Sequence, residues 1–402
     1  MARAADGLRV LDFTWFGVGP ISTKYLADNG AEVIKVESRK HPDGLRLAPP
    51  FSGDAGLNRS QYFGNFNSSK KSVSIDMTTP AGRDLIRRLV PHCDIVAESF
   101  RVGTMARWGL GYEQLRELRP DLIYYVTCLQ GQTGPRAAYA GFGMQLAAIS
   151  GLYSLSGYSA DDLAPVHGPY TDFIAPRFGA FALLAAIDHR RRTGEGQLID
   201  LSQYESVLHF LAPAITHYFA TGEVAQPAGN TSPRHAPHGA YPCRDDDGTA
   251  RWIAIAVEDD DQWAATLGVL GGGAGPAHLS SHADRLAAPA ATDDYLSGLT
   301  AACEVGELTA ALQQAGVAAY PVQSCADLRS DENLSALGFF PMLEQAECGP
   351  MPYDGLAYRL GRTPGEQVAA PNIGAHTDEV LSGVLGLSAA EIQALRDADV
   401  LY

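Results

Sequence analysis

The first third of the chain alternates short runs rich in β-branched residues with segments of helical spacing, and this alternation constrains the fold more than any other feature. The strand-like runs are Leu8–Thr14, Glu32–Glu37, Ser72–Ile75, Ile95–Ala97 and Leu122–Thr127. The helix-like segments between them are Ile21–Asn29, Pro80–Val90 and Tyr112–Leu118. Alternating β and α units build a mainly parallel sheet with helices on both faces. The sequence therefore predicts an α/β fold with a large, Rossmann-like, doubly wound domain.

A lone carboxylate, Asp172, stands where a loop meets the apolar segment Phe178–Ile187. Basic residues and glycines close that segment at 189–196, as a helix C-terminus prefers. An aspartate at a helix start is predicted to stay ionised and to accept backbone N–H groups, which suits a helix cap and equally suits a nucleophile. The segment 196–201 is predicted to be a short buried strand, and Ser202 is predicted to cap one long helix that ends near Thr221.

Short motifs run through nearly the whole chain in a fixed order. They are Val10–Thr14, Gly19–Pro20, Leu26–Glu37, Asn67–Ser72, Phe100–Gly103, Gly131–Pro135, Gly151–Gly157, Asp172, Arg190–Ser202 and Arg362–Thr377. Together they resemble the family III CoA-transferases, a superfamily with formyl-CoA transferase and carnitine CoA-transferase-like members that also includes alpha-methylacyl-CoA racemase. The resemblance implies an enzyme that moves coenzyme A between carboxylic acids, with Asp172 as its nucleophile.

The resemblance also implies a mechanism. Asp172 attacks a donor acyl-CoA to give a mixed anhydride, and the released CoA thiolate then forms an aspartyl-CoA thioester. The acceptor carboxylate reverses these two steps. Coenzyme A and acyl-CoA are therefore expected as substrates, with no permanently bound cofactor and no metal.

The expected architecture has four parts. Residues 1–205 form the large CoA-binding domain, 206–224 a linker helix, 225–325 a smaller α+β domain with a strand at Trp252–Val257, and 326–402 a return to the large domain. The return is implied by the resemblance, which further implies that two subunits interlock as a homodimer.

Coenzyme A carries phosphates, which demand fixed positive charge and free N–H groups. The candidates that match family positions are Phe16, Val18, Arg39, Lys40, Lys70, Phe100, Met105 and Arg107. The substrate acid is expected to meet a second set, which consists of Trp15, Gly17, Phe142, Tyr170, His235 and His238.

Two glycine-containing loops, 141–143 and 229–241, are expected to act as lids or oxyanion donors, or else as ordinary connections. Gly17 stands where some family members carry glutamine, and residues 231–235 replace a run of glycines. These departures argue against a formate-like or small dicarboxylate substrate. The aromatic residues near the motifs favour a bulkier or apolar acyl group, or are simply core residues.

Three other functions compete with CoA transfer. Gly17-Val18-Gly19 with Glu37 further on is part of a dinucleotide fingerprint, but Pro20 and Ser22 break it. A racemase of the same superfamily needs a His-Asp pair where this chain has Phe142 and Gly143. A protein that binds CoA without transferring it would not need Asp172.

Composition limits the remaining possibilities. The 402 residues are 46% hydrophobic and carry a net charge of −16, which argues against nucleic acid or anionic lipid as a partner. The longest apolar helical run in the sequence is Phe178–Ile187, which is too short to span a bilayer. The six cysteines lack metal-ligand spacing and are expected to be buried and reduced. A cytoplasmic protein is therefore predicted.

Overall fold

The computed structural model describes residues 2–166 and 168–402, and these fall into two compact units. The first contains the chain up to Tyr153 and the segments Val166–Val224 and Ser335–Tyr402, and the second contains Ser154–Pro165 and Ala225–Leu334. These ranges differ from the expected ones in two places. The smaller unit takes in residues 154–165 and extends to Leu334, and residues 206–224 lie within the first unit rather than outside it.

The strands are β1 (Arg9–Phe13), β2 (Glu32–Glu37), β3 (Lys71–Ser74), β4 (Ile95–Glu98), β5 (Ile123–Cys128), β6 (Gly157–Ser159), β7 (Asp162–Leu163), β8 (Leu198–Ser202), β9 (His238–Arg244), β10 (Ala250–Ala256), β11 (Ala318–Pro321), β12 (Met342–Gln345) and β13 (Gly349–Pro352). The helices are α1 (Val18–Asp28), α2 (Gln61–Phe66), α3 (Pro80–Leu89), α4 (Thr104–Arg107), α5 (Tyr112–Leu118), α6 (Gly143–Ile149), α7 (Tyr170–Thr193), α8 (Gln203–Leu208), α9 (Ala212–Thr221), α10 (Asp260–Leu270), α11 (His282–Ala287), α12 (Pro289–Thr300), α13 (Val305–Gln314), α14 (Cys325–Ser330), α15 (Glu332–Ala336), α16 (Thr377–Leu385) and α17 (Ala389–Asp397).

A six-stranded sheet organises the first unit, in the order β3-β2-β1-β4-β5-β8. Every neighbouring pair in it is parallel. The chain therefore moves outward from β1 in one direction and restarts at β4 in the other, which leaves a crevice at the carboxyl ends of these two strands. The predicted parallel, doubly wound sheet is confirmed.

Side chains that alternate along the strands fill two separate cores, one on each face of the sheet. Leu11 and Val96 join a cluster with residues of α3, α5, α16 and α17. Val10 and Ile95, their neighbours along the strands, join the opposite cluster with residues of α1 and α7. Strands buried on both faces in this way carry nearly continuous apolar runs, which is why the sequence located them well.

Several local predictions were wrong in detail. Helix α7 begins at Tyr170, so Asp172 lies in its first turn rather than at its cap. Strand β8 exists but lies at the sheet edge and is largely exposed. The predicted long helix from Ser202 is interrupted by a 3-10 turn at His209–Leu211. All six cysteines are free, but only Cys93 and Cys243 are buried; Cys128, Cys303 and Cys348 are partly exposed and Cys325 is exposed.

The second unit is built on a three-stranded antiparallel sheet, in the order β11-β10-β9. Its core includes Ile253 and Ile255 from β10, with Trp263 and Leu267 from α10 and Leu308 from α13. The predicted strand at Trp252–Val257 corresponds to β10. The stretch 271–291 is rich in glycine and alanine, and part of it forms α11 and the start of α12.

Among the described residues, α7 is the one helix long and apolar enough to cross a membrane by length and composition. It is longer than the apolar run Phe178–Ile187 that the sequence predicts. Within the protein, 44% of its most apolar stretch is buried. This is weak evidence for a membrane span, because the core helix of a water-soluble protein has the same properties.

Buried ion pairs fix the segments that surround the crevice. The Lys70 ammonium lies 2.9 Å from Asp12, and its other donors bond the Pro20 carbonyl and Asn67, each at 3.0 Å. Burial lowers the pKa of Lys70 to about 8, against the attraction of Asp12, so the ammonium is still charged at neutral pH. Breaking such a pair leaves an uncompensated buried charge, which costs more than the pair itself contributes.

We therefore predict that Lys70→Met lowers the free energy of unfolding by roughly 3–5 kcal/mol, because it strands the buried Asp12 carboxylate. The matched control is Lys40→Met, whose half-exposed ammonium pairs with Asp76 at 3.3 Å, and its loss of stability is expected to be much smaller because solvent screens the pair. Urea denaturation of both variants measures the difference. Equal losses in the two variants would contradict this account of the buried pair.

Candidate active site

A cavity of about 280 Å³ opens at the crevice between β1 and β4. It is lined by Trp15, Phe16, Gly17, Val18, Gly19, Ser99, Phe100, Arg101, Val102, Thr127, Cys128, Leu129, Ala137, Tyr139, Ala140, Gly141, Phe142, Gly143, Asp172 and Gln203. Four strands of the parallel sheet contribute residues at or just beyond their carboxyl ends, as open α/β sheets do around their ligands.

The Asp172 carboxylate lies in this cavity in the first turn of α7. The Gln203 side-chain amide donates to its Oδ1 at 2.9 Å, and the Thr171 hydroxyl lies 3.3 Å from the same oxygen. The predicted bonds from backbone N–H groups are replaced by these two side-chain contacts. Both of them involve Oδ1, which leaves Oδ2 as the oxygen available for chemistry.

Two glycines let the backbone approach this carboxylate closely. A Cβ atom on Gly143 would lie 2.4 Å from Oδ1 of Asp172 and 2.7 Å from Cβ of Pro169. A Cβ atom on Gly17 would lie 3.1 Å from Cβ and 3.2 Å from Oδ2 of Asp172. The loop after β1 and the start of α6 therefore enclose the carboxylate from two sides.

Burial raises the pKa of Asp172 to about 6, and the hydrogen bonds from Gln203 and Thr171 only partly oppose this rise. No ion pair of Asp172 is found within residues 2–166 and 168–402. The carboxylate is thus mainly ionised at neutral pH, yet is less stabilised by solvent and neighbours than an ordinary aspartate. A group in this condition is a better nucleophile than one that is paired or fully solvated.

The loop that carries Gly17 is held in a costly conformation. Phe16 adopts a φ of +61°, which is rare for a residue with a bulky side chain. Its backbone N–H donates to Asp43 at 3.1 Å, and Asp43 is paired with the buried Lys35 at 2.9 Å. Lys35 also donates to the Thr14 carbonyl at 2.7 Å, so the loop is fixed at both ends.

The structure brings seven of the predicted site residues together in the lining of this cavity. They are Trp15, Phe16, Gly17, Val18, Phe100, Phe142 and Asp172. The loop 141–143, expected to be a lid, an oxyanion donor or an ordinary connection, also lies there.

Other predicted residues lie elsewhere. Lys70 is buried with its donors already used, and Met105 is buried in the core, so both are withdrawn as CoA contacts. Four predicted residues are exposed but do not line the cavity, and these are Arg39, Lys40, Arg107 and Tyr170. His235 and His238 belong to the second unit, where their rings stack 5.9 Å apart.

Sequence reasoning missed Gln203, Arg101 and Ser99 as site residues. The signal that identifies them is position, since Ser99 follows β4 directly and Gln203 follows β8 directly. Residues at the carboxyl ends of parallel strands converge on one edge of the sheet. Listing the residues just beyond the ends of the predicted strands would have identified Ser99 and Gln203.

The structure weighs against two of the rival functions. Glu37, which would hold a ribose in a dinucleotide site, is buried and makes paired bonds of 2.7 Å to Arg46. Among the described residues that line the cavity, Asp172 is the only acid and no histidine is present. The racemase reading expects a His-Asp pair to move the α-proton, and the described lining residues supply no such pair.

Comparisons with known proteins agree with these observations. The model of CoA-transferase family III matches residues 5–377. The succinyl-CoA–D-citramalate CoA-transferase of Chloroflexus aurantiacus is 31% identical over 402 residues, covering 99% of this chain and 98% of that protein. The succinate–glutarate CoA-transferase of Agrobacterium fabrum is 30% identical and covers 94% of each chain. The crystal structure of a CAIB/BAIF family protein from Brucella suis superposes with a TM-score of 0.87 at 29% identity, covering 96% of this chain and 100% of that one.

Burial of Asp172 predicts a stability effect that depends on pH. Its folded-state pKa lies above the ordinary 3.8, so ionisation of the carboxylate destabilises the folded protein. This loss of stability grows as pH rises from about 4 to 6. Asp172→Asn is expected to stabilise the protein by on the order of 1–2 kcal/mol more at pH 7.5 than at pH 4.5. Urea denaturation at the two pH values measures this difference.

The control for that measurement is Asp188→Asn, on the same helix, where the carboxylate is exposed. It is expected to show no comparable difference between the two pH values. If Asp172→Asn changes stability equally at pH 4.5 and 7.5, the carboxylate is not desolvated in the way described.

Proposed function

The chain belongs to CoA-transferase family III, and we propose that it moves coenzyme A from an acyl-CoA thioester to a carboxylic acid through covalent intermediates on Asp172. The observation that carries this proposal is the placement of that carboxylate. It lies in the crevice of the parallel sheet, its pKa is raised to about 6 by burial, and two glycines press close to it. Such a group is poised to attack a thioester carbonyl.

The geometry suits each step of the reaction. Gln203 holds Oδ1, and Oδ2 attacks the acyl carbon of the donor, which gives a mixed anhydride and CoA thiolate. The thiolate attacks the Asp172 carbonyl carbon, and the donor acid leaves. The acceptor carboxylate then attacks the aspartyl-CoA thioester, and the returning thiolate attacks the acceptor's carbonyl carbon and regenerates Asp172. Because the thioester is exchanged rather than hydrolysed, no ATP is required.

Relatives suggest where to look for the two acids. Succinyl-CoA and succinate appear in the names of the relatives from Chloroflexus aurantiacus and Agrobacterium fabrum, so succinyl-CoA is the first donor to test. For coenzyme A itself we propose contacts with Phe16, Val18 and Phe100 in the cavity, and we add Arg101. The exposed cations Arg39, Lys40 and Arg107 remain proposed partners of its phosphates.

We further propose that the protein acts as a cytoplasmic homodimer. An apolar groove of the first unit supports the dimer, because Phe181 and Leu184 of α7 are 74% and 56% exposed along it. Apolar patches of this kind mark association surfaces. A sedimentation experiment that finds a single chain at micromolar concentration would remove the dimer from the proposal.

Two alternatives make different predictions with the same reagents. A racemase would incorporate solvent deuterium at the α-carbon of an acyl-CoA without modifying Asp172. If the protein only binds CoA, its Asp172→Asn variant should bind CoA as tightly as the wild type does, and neither should form a covalent species.

We predict that incubation with succinyl-CoA adds the mass of coenzyme A, less one water, to the peptide that contains Asp172. The rate of adduct formation should rise about tenfold per pH unit below pH 6 and level off above it, because the ionised carboxylate is the nucleophile. Peptide mass spectrometry follows the adduct. Asp172→Asn should abolish it and Asp188→Asn should leave it unchanged.

An adduct that persists in Asp172→Asn would assign the nucleophile elsewhere. An adduct rate that does not change between pH 5 and 7 would contradict the raised pKa as the controlling ionisation.

We also predict that Gly143→Ala slows adduct formation by roughly 10²-fold, because its Cβ displaces the Asp172 carboxylate from its working position. The control is Gly383→Ala in α16, where a Cβ meets nothing within 4 Å. Single-turnover kinetics measure the rates, and thermal unfolding checks that both variants fold. An unimpaired Gly143→Ala variant would show that the close approach has no catalytic importance.

A further inference from the structure

Each of the two loops that enclose Asp172 presents the same dipeptide. Gly17 and Gly143 approach the carboxylate, and each is preceded by a phenylalanine, Phe16 or Phe142. The two rings meet edge to face with their centroids 6.1 Å apart. Both line the cavity, and both remain exposed, Phe16 by 45% and Phe142 by 65%.

Exposed apolar side chains occur at many places on this protein, so the informative feature is that these two rings meet each other in the lining of the cavity. Phe16 adopts its left-handed backbone conformation and in doing so directs its ring to the cavity, at a cost that the structure offsets through the Asp43 contact. Its ring lies against Gly44, where a Cβ would be only 2.4 Å from the ring's Cζ atom. The Phe16 ring therefore packs directly against the backbone of Gly44.

We propose that Phe16 and Phe142 form a gate over Asp172 that selects apolar acyl groups and excludes water from the covalent intermediates. This inference rests on the proposed function and names the substrate class of the same site. The preferred acid is a monocarboxylic acid with an apolar body, whose thioester packs against the two rings while its carbonyl carbon meets Oδ2 of Asp172. A thioester of a dicarboxylic acid, such as succinyl-CoA, is expected to react at the same carboxylate but more slowly.

The charges around the cavity support this substrate class. Among the described lining residues, Arg101 is the only cation, and the proposed function assigns it to coenzyme A. A second carboxylate on the substrate would then be buried against aromatic rings without a partner, which is unfavourable. An apolar chain at the same place gains contact area with both rings.

Water exclusion follows from the same geometry. The aspartyl-CoA thioester is lost if water attacks its carbonyl carbon, because this reaction returns the Asp172 carboxylate and a proton and releases coenzyme A as the free thiol. A closed aromatic gate keeps water from that carbon until the acceptor enters. Opening the gate should therefore increase hydrolysis relative to transfer.

The experiment compares hexanoyl-CoA with adipoyl-CoA, which have the same carbon chain and differ by a terminal carboxylate. In the wild-type protein we expect the adduct on Asp172 to form about tenfold faster from hexanoyl-CoA. Phe142→Ala and Phe16→Ala should remove most of this preference and should release free thiol from the adduct about tenfold faster. Phe142→Leu should retain most of the wild-type behaviour.

A second variant tests whether the position of the Phe16 ring matters, and not only its presence. Gly44→Ala keeps both phenylalanines but pushes the Phe16 ring away from its seat, so it should raise hydrolysis in the same direction as Phe16→Ala. Thermal unfolding identifies any variant that has simply lost its fold. A structural role alone would lower stability without changing the ratio of hexanoyl to adipoyl reactivity.

The outcomes distinguish this inference from the proposed function. Faster reaction with adipoyl-CoA, or alanine variants with unchanged preference and unchanged hydrolysis, would overturn the gate while leaving CoA transfer intact. Absence of an Asp172 adduct from any acyl-CoA, including succinyl-CoA, would overturn the proposed function and the gate with it.

Discussion

The close approach of two backbone segments to one carboxylate is the constraint on which the site depends. A side chain at position 143 would collide with Oδ1 of Asp172, and one at position 17 would crowd Oδ2. The two glycines enclose the carboxylate and thereby contribute to the burial that raises its pKa. In the proposed reaction, the same closeness fixes the position of the carboxylate that attacks the thioester. Desolvation and positioning of the carboxylate therefore arise from a single packing arrangement.

That arrangement requires a rigid support, which the buried ion pairs supply. Asp43 accepts a hydrogen bond from the strained Phe16 N–H and is itself paired with Lys35. The buried Lys70 pairs with Asp12 of β1 and also bonds the Pro20 carbonyl in α1. Such pairs gain little net stability over apolar packing, but they are costly to break. In this protein they hold the loop after β1 in one conformation, so their role extends from folding to the precision of the site.

Much of the fold could be predicted from the sequence, because strands buried on both faces carry long apolar runs and turn signals separate them. Motifs that resemble a known family predicted Asp172 and Phe16 as site residues, whereas Gly17 and Phe142 were singled out as departures from related sequences; all four line the cavity. Lys70 was misassigned, since a lysine in a polar motif looks the same in sequence whether it is buried against an aspartate or free to bind phosphate. Gln203 was missed because its role depends on the pairing of β8 with β5, a contact between distant segments.

The central claim is that Asp172 itself carries the acyl and CoA groups, and its oxygen atoms record whether this is so. In the proposed reaction an oxygen of the acceptor carboxylate becomes the bridging oxygen of the second anhydride and stays with Asp172 when the acyl-CoA product leaves. Turnover with an acceptor labelled with ¹⁸O in its carboxylate should therefore add 2 Da to the peptide that contains Asp172, as an oxygen exchange predicts. Turnover that leaves this peptide unlabelled while product acyl-CoA accumulates would contradict the account, because coenzyme A would then pass between the acids without a covalent stage on Asp172.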